Sequence, residues 1–246
     1  MGGKKQRRYR SLVKSHGLAT FQVSVGETDL FVTADRDFTR EVRDAVVRYR
    51  RPIEAYIAIN PVFRDSLIPL EEDPLAPRIV RQMLWAGQRC GVGPMASVAG
   101  AISEFVGQDL LARSREVIVE NGGDVYMRST RELRVAVYAG SSPLSLEIGI
   151  SIGPHRMPLG VCTSSGTVGH SRSLGRADAV CVLSKSATLA DAAATAVGNR
   201  VRCKGDIEEG LGRAREIEGV EGVLIVVGDA VGVWGDVELV RIQPVR

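Results

Sequence analysis

The sequence predicts an α+β fold, in which helices pack against an antiparallel-rich sheet. Apolar and polar residues alternate in several short runs, as is typical of strands with one buried face. Most of these runs are joined by short turns, and the helical stretches come in groups. A series of parallel βαβ units would need a helix in every connection, so the pattern favours antiparallel pairing.

Composition narrows the class of protein. The 246 residues carry a formal net charge of +3 and are 44% hydrophobic, which is ordinary for a soluble globular chain. So small a charge gives no argument for a nucleic-acid partner, and no stretch is apolar over the length of a membrane span. The four cysteines include no Cys-x-x-Cys pair, which fits a reducing cytoplasm better than a disulfide framework or a zinc site.

The chain length fits a single domain over residues 1–246. Two closely packed lobes, 1–112 and 113–246, are the other arrangement that this length allows. The oligomeric state stays open, with a homodimer among the alternatives.

The first lobe is predicted to contain two strands followed by helices. The second strand lies at 28–34, and the alternation that marks both strands ends near Asp35. Pro52 is expected to end one helix and to open the next, because proline suits a first helical turn and not a helix interior. A loop rich in acids and prolines is expected at 64–77. The expected helices lie at about 37–52, 53–59, 75–89 and 95–112.

The second lobe is predicted to be mostly strands. Asn121-Gly122-Gly123-Asp124 stands between two apolar runs, and Asn-Gly in such a place is the strongest local signal of a β-hairpin. The stretch 162–171, rich in small polar residues and glycine, is expected to be a loop. The expected strands lie at 116–120, 125–128, 133–138, 144–150, 178–184, 221–227 and 231–240, and the expected helices at 187–198 and 206–216.

The apolar helix at 187–198 carries one carboxylate and one hydroxyl on the same face. Asp191 and Thr195 are four residues apart, so their side chains lie one above the other. Two hard oxygens make a plausible half-shell for Mg²⁺ or Ca²⁺. The alternative is structural: Asp191 caps a neighbouring element and Thr195 bonds back to a carbonyl of its own helix.

The predicted loop at 162–171 offers two further chemistries. Its glycines and hydroxyls, around Thr163-Ser164-Ser165-Gly166, suit a phosphate group. Ser164 or Ser165 with His170 and Asp178 would instead form a nucleophilic triad, although no Gly-x-Ser-x-Gly elbow supports it. A plain Ser/Gly loop is the commonest explanation of such a segment.

Three segments in chain order resemble one known family. They are Ile118-Val119-Glu120-Asn121-Gly122-Gly123-Asp124, then Thr163-Ser164-Ser165-Gly166, then Ala190-Asp191-Ala192-Ala193-Ala194-Thr195. Their order and spacing resemble the ApbE-like superfamily of FAD:protein FMN transferases, which has Asn-x-Gly-Gly-Asp/Asn, Thr-Ser-Gly and Ala-Asp-Ala-x-x-Thr motifs. Gly100 matches the glycine of the family's Gly-x-x-Lys-Gly helix, so the resemblance covers about residues 90–200.

The resemblance implies an α+β core that binds FAD or FMN in a cleft, with Mg²⁺ bridging the diphosphate. Asp191 and Thr195 match the family's side-chain ligands of the metal, and Asp191 is the residue expected to support catalysis. A hard cation suits diphosphate cleavage because charge develops on the phosphate oxygens. The residues expected to border the nucleotide are Gly100, Asn121, Gly122, Gly123, Asp124, Thr163, Ser164, Ser165 and Gly166.

Three departures identify the chain as a member of a short, uncharacterised branch of that superfamily. Ala99 stands where the family has its lysine, the His-x-x-Asp-Pro-x-Thr-Gly segment expected between 167 and 180 is missing, and the chain is shorter than typical members. We therefore expect a protein that binds FAD or a related nucleotide-like small molecule with Mg²⁺, and that transfers FMN or cleaves the diphosphate. The alternatives are a non-catalytic protein that binds a flavin or another anionic small molecule, and a hydrolase acting through Ser165 and His170.

Overall fold

The computed structural model describes residues 17–166 and 175–242 of the chain. The strands are β1 Ala19–Val25, β2 Thr28–Ala34, β3 Val117–Asn121, β4 Asp124–Arg128, β5 Leu133–Ala136, β6 Ile148–Ile152, β7 Leu159–Ser164, β8 Ala179–Ser184, β9 Val220–Val227, β10 Ala230–Gly235 and β11 Glu238–Arg241. The helices are α1 Thr39–Ile59, α2 Val62–Asp65, α3 Arg78–Cys90, α4 Val98–Leu111, α5 Ala187–Gly198 and α6 Ile207–Glu216. A short 3-10 helix, Pro94–Ser97, leads directly into α4.

All neighbouring strands in both sheets run antiparallel, which confirms the predicted α+β class. The large sheet has the order β1-β2-β3-β4-β7-β8-β9-β10, and the small sheet has the order β11-β6-β5. The pairing of β2 with β3 places Ala34 opposite Val117, so the large sheet contains strands from either side of residue 112. The division of the chain into one domain or two lobes stays a prediction.

Helices cover one face of the large sheet, and the small sheet covers the other. Cys162, Val182 and Ile225 lie in one apolar cluster with α5 and α6. The residues that pack with Ile150 and Ile152 of the small sheet are Met127, Leu159, Leu183 and Leu224. Because both faces are covered, β8 is buried at every position.

Helix α5 is buried almost all round. Ser186 caps its first turn by accepting a hydrogen bond from the Leu189 N–H at 3.2 Å, and its alanines favour the helix and let neighbouring backbones approach. Asp191 and Thr195 are the two residues of α5 that are partly exposed; the rest are buried. None of the helices in the described residues combines the length and apolar character needed to cross a membrane.

The predicted helix break at Pro52 is wrong, because α1 runs from Thr39 to Ile59 with the proline inside it. Proline removes one backbone hydrogen bond from a helix interior. The apolar face nevertheless continues past it, since Val46 and Ile53 are buried two turns apart. Packing of that face on the core therefore outweighs the local cost of the proline.

Three expected boundaries in the second half of the chain are also wrong. The stretch 162–171 is not a loop throughout, because β7 extends to Ser164 and is paired on both sides, with β4 and β8. The strand expected at 144–150 begins only at Ile148, since turns precede it and Leu146 has a φ of 62°. The strand expected at 231–240 is two strands in different sheets, separated at Gly235, whose φ is 79°.

Candidate functional site

The carboxylate of Asp191 lies against the beginning of α4. Its Oδ2 accepts a hydrogen bond of 2.8 Å from the backbone N–H of Gly100, in the first turn of α4, where free N–H groups and the helix dipole attract negative charge. Burial raises the pKa of Asp191 to about 7, while the N–H groups of Gly100 and Ala99 oppose the rise. Asp191 thus caps a neighbouring helix, as the structural alternative requires, and its remaining lone pairs keep the capacity to bind a cation.

Gly100 makes this approach of the two helices possible. A Cβ atom at this position would lie 2.7 Å from the Cβ of Asp191 and closer still to the carbonyl oxygen of Ala187. Separations this short are not tolerated between well-packed atoms. Gly100 therefore positions Asp191 through packing, whereas its predicted contact with a nucleotide stays a prediction.

Thr195 lies one helical turn beyond Asp191 on the same face of α5. Both side chains are partly exposed in a helix that is otherwise buried, so this face is where α5 reaches the surface. Within the described residues, the Thr195 hydroxyl makes no hydrogen bond to its own helix. The hydrogen bond from Thr195 to a carbonyl of its own helix, which the structural alternative required, is therefore absent, and the hydroxyl is available to a ligand.

The β3–β4 hairpin forms where the Asn-Gly signal predicts it. Asn121 pairs with Asp124 across a two-residue turn, in which Gly122 and Gly123 have φ angles of 69° and 117°, values that favour glycine. The side-chain amide of Asn121 donates a hydrogen bond of 3.2 Å to the carbonyl oxygen of Ala99. The hairpin is thereby tied to the chain immediately before Gly100.

Asp124 is buried beneath α5, close enough to Asp191 for their charges to interact. Burial is the larger cause that raises its pKa well above the ordinary value, and the negative charge of Asp191 is the next. Asp124 lies opposite Cys162 in the sheet, and the Cys162 thiol donates to the Ala187 carbonyl oxygen at 3.3 Å. The Oδ1 atom of Asp124 is buried without a hydrogen-bond partner.

The Thr163–Gly166 segment is half strand and half loop. Thr163 and Ser164 end β7, and the buried Ser164 hydroxyl has no hydrogen-bond partner. Ser165 and Gly166 follow the strand, and the Gly166 N–H donates to the Ala177 carbonyl oxygen at 2.9 Å. A Cβ atom on Gly166 would overlap the carbonyl of Gly175, so this glycine is needed for close approach of two backbone segments.

The structure gives little support to the triad alternative. Asp178 is engaged elsewhere, because its Oδ2 accepts a hydrogen bond of 2.7 Å from the Gly228 N–H. His170 lies outside the described residues. Burial raises the pKa of Cys162 well above its usual range, so its thiol is a poor nucleophile.

One residue important for the geometry of the site was missed at the level of sequence. The Glu104 carboxylate, in α4, accepts hydrogen bonds of 2.9 Å from the Ser186 hydroxyl and from both the N–H and the hydroxyl of Thr188. It therefore fixes the beginning of α5, the helix that carries Asp191. The sequence signal for Glu104 was its position as a single acid within the apolar run Ile102–Val106. Buried acids are rare unless they are paired, so this position indicates a carboxylate with hydrogen-bond partners.

The site does not coincide with a pocket that the described residues form beside α6. That pocket, of about 590 Å³, opens at the C-terminal end of α5, and no predicted site residue lines it. Its lining includes Asn199, Arg200, Arg202 and Arg213. In the described parts of the chain, no three His, Cys, Asp or Glu side chains are arranged as a metal site. A cation at Asp191 would thus need hydroxyl, carbonyl or phosphate oxygens besides carboxylates.

Comparison with known proteins identifies the family. The family described as AbpE bacteria matches residues 10–229. A UPF0280 protein of Methanocaldococcus jannaschii is 40% identical over 227 residues, which cover 89% of this chain and 92% of that protein. A UPF0280 protein of Methanosarcina acetivorans is 38% identical over 240 residues, which cover 96% of this chain and 92% of that protein.

Two solved structures share the fold. The apo form of the Pseudomonas stutzeri flavinyl transferase ApbE has a TM-score of 0.56 at 14% identity, over 88% of this chain and 94% of that chain. The flavin transferase ApbE from Vibrio cholerae has a TM-score of 0.51 at 13% identity, over 88% and 96%. At such identities the likeness shows the fold alone. The resemblance found in the sequence is thus confirmed, and the chain belongs to the AbpE bacteria family, among relatives described as UPF0280 proteins.

Proposed function

We propose that the chain binds FAD, or a related flavin nucleotide, together with Mg²⁺ where the β3–β4 hairpin meets α4 and α5. One observation carries the proposal: the buried carboxylate of Asp124 lies close enough to the partly exposed carboxylate of Asp191 for their charges to interact, and an oxygen of Asp124 has no partner. Buried carboxylates are costly unless a positive charge or hydrogen bonds compensate them. Carboxylate and hydroxyl oxygens are the ligands that Mg²⁺ prefers.

The substrate class comes from the flavin transferases that share the fold. Asp191 and Thr195 would hold the cation, and the N–H groups of the Gly122-Gly123 turn and of Gly166 would border the phosphates. A Mg²⁺ ion held by these residues would supply positive charge to offset the negative charge that develops on the diphosphate oxygens. The proposed reaction cleaves the diphosphate of FAD, releases AMP, and passes FMN to water or to an acceptor hydroxyl.

A second function, flavin binding without turnover, is favoured by one specific feature. Ala99 replaces the lysine of the family motif, and its carbonyl oxygen is held by the Asn121 side chain. No cationic side chain can act from this position on a developing phosphate charge, so the protein would stabilise a transition state less. Binding would remain, because the carboxylates and the glycine turns are present.

Thermal unfolding and product analysis separate these functions. A ligand at 100 times its Kd stabilises the folded state by about 2.7 kcal/mol, so we expect the highest Tm with FAD and Mg²⁺ together. Asp191→Asn removes the Mg²⁺-dependent part, whereas Asp44→Asn, the same change at an exposed site on α1, retains it. AMP formed from FAD identifies the enzyme, and stabilisation without AMP identifies the binding protein. A Tm that changes with neither FAD nor Mg²⁺ contradicts the proposal.

A further inference from the structure

Two buried polar atoms near Asp191 lack any partner. Asp124 is 8% exposed and Ser164 is 7% exposed, yet the Oδ1 of Asp124 and the Oγ of Ser164 make no hydrogen bond. At least about nine in ten buried polar groups in folded proteins are hydrogen-bonded. These are the buried side-chain oxygens and nitrogens without a partner in the described chain, so their occurrence on adjacent strands requires an explanation.

The sheet register places both atoms on the same face. Asp124 of β4 lies directly opposite Cys162 of β7, and Ser164 is two residues beyond Cys162, which puts it on the same side of the sheet. The Cys162 thiol bonds to the Ala187 carbonyl oxygen, so this face is the one that α5 covers. Asp191 follows Ala187 by one helical turn. The unpaired oxygens of Asp124 and Ser164 therefore lie on the side of the sheet that faces α5, the helix that carries Asp191.

Nothing in the described chain supplies positive charge there. No described lysine or arginine side chain pairs with Asp124 or Asp191, and no cationic group lowers the pKa of either residue. Two like charges brought together in a protein interior repel strongly. A bound cation would remove this repulsion and would also give the Oδ1 atom of Asp124 and the Oγ atom of Ser164 a partner.

We propose that Asp124 is a second carboxylate ligand of the divalent cation held by Asp191, with the Ser164 hydroxyl beside it. The inference rests on the proposed cation site and extends it by these two side chains. Two carboxylates balance the charge of a divalent cation, so the chain binds the metal alone, before any nucleotide contributes phosphate oxygens. Metal affinity is set by the number of charged ligands, and Asp124 doubles that number.

Titration with Mn²⁺ alone tests the assignment. The electron paramagnetic resonance signal of free Mn²⁺ is followed as the purified full chain is added without nucleotide. Asp124→Asn keeps the shape and removes the charge; it should weaken Mn²⁺ binding by at least about tenfold, a loss that changes outside the ligand shell already produce. Ser164→Ala should weaken binding by a smaller, measurable factor. Asp44→Asn should bind as the unaltered chain does.

The outcomes separate this inference from the proposed function. Mn²⁺ affinity unchanged in Asp124→Asn overturns the assignment and leaves Asp124 as a neutral buried acid. If Asp124→Asn does not fold, Ser164→Ala decides, because it removes a group that bonds to nothing, and unchanged affinity there overturns the assignment too. Mn²⁺ binding that appears only with FAD refutes the inference and spares the function. If Mn²⁺ binding depends on Asp124 but FAD does not raise the Tm, the inference is supported and the proposed function is refuted.

Discussion

Replacing Gly100 by alanine tests the packing that holds Asp191 in place. The added Cβ would lie 2.7 Å from the Cβ of Asp191 and nearer to the Ala187 backbone, so α4 and α5 must separate. Overpacking a well-packed region costs about 1–3 kcal/mol, and the gain in helix propensity returns at most about 1 kcal/mol. We expect Gly100→Ala to lower the free energy of unfolding by about 1–2 kcal/mol.

Gly212 provides a matched control, because it is also helical and a Cβ there would meet no atom within 4 Å. Gly212→Ala should stabilise the protein by about 0.5–1 kcal/mol through helix propensity alone. Urea unfolding of both variants and the unaltered chain measures the difference. If Gly100→Ala proved as stable as Gly212→Ala, the close contact between α4 and α5 would be refuted, and with it the positioning of Asp191.

Three further results are expected. Folded Asp191, with a pKa of about 7, keeps its proton where the unfolded chain has lost it. Its contribution to the free energy of unfolding of the metal-free protein, at most about 4 kcal/mol, is therefore lost as the pH rises from about 4 to 7; Asp191→Asn should abolish this part of the pH profile in urea titrations. Glu104→Ala orphans the groups that it pairs at the beginning of α5 and should cost about 2–4 kcal/mol, with Glu104→Gln costing less because its amide oxygen still accepts. Iodoacetamide at pH 8 should label Cys203, the exposed cysteine, and spare the other three, which are buried and whose pKa values burial raises; labelling of a second cysteine, found by mass spectrometry, would contradict this.

Elements defined by local chemistry were predicted well from the sequence. The β3–β4 hairpin depends on two glycines at positive φ between apolar runs, and both features are visible in seven residues. The helix at 187–198 was predicted to the residue, because an alanine-rich run begins after an N-capping serine and ends at a glycine. In these cases neighbours along the chain determine the conformation.

Elements defined by distant contacts were predicted less well. Pro52 stands inside α1 because the apolar face of the helix packs on the core on both sides of the proline, at Val46 and at Ile53. The polar end of β7 was read as a loop because its strand character comes from pairing with β4 and β8, and β4 is separated from it by two strands of the other sheet. Propensity cannot reveal such pairings, since tertiary context overrides it.

The same distinction explains which parts of the candidate site the sequence revealed. The face shared by Asp191 and Thr195 follows from helical spacing, whereas the approach of Asp124 to Asp191 depends on the register of β4 and β7 beneath α5. The position of the β3–β4 hairpin also bears on the replacement of the family's lysine by Ala99. With Ala99 fastened to Asn121, the beginning of α4 keeps its place without a cationic side chain, while two carboxylates remain beside it. Among the described residues no cationic side chain supplies the charge that a lysine at position 99 would bring, and the proposed cation site is argued from that observation.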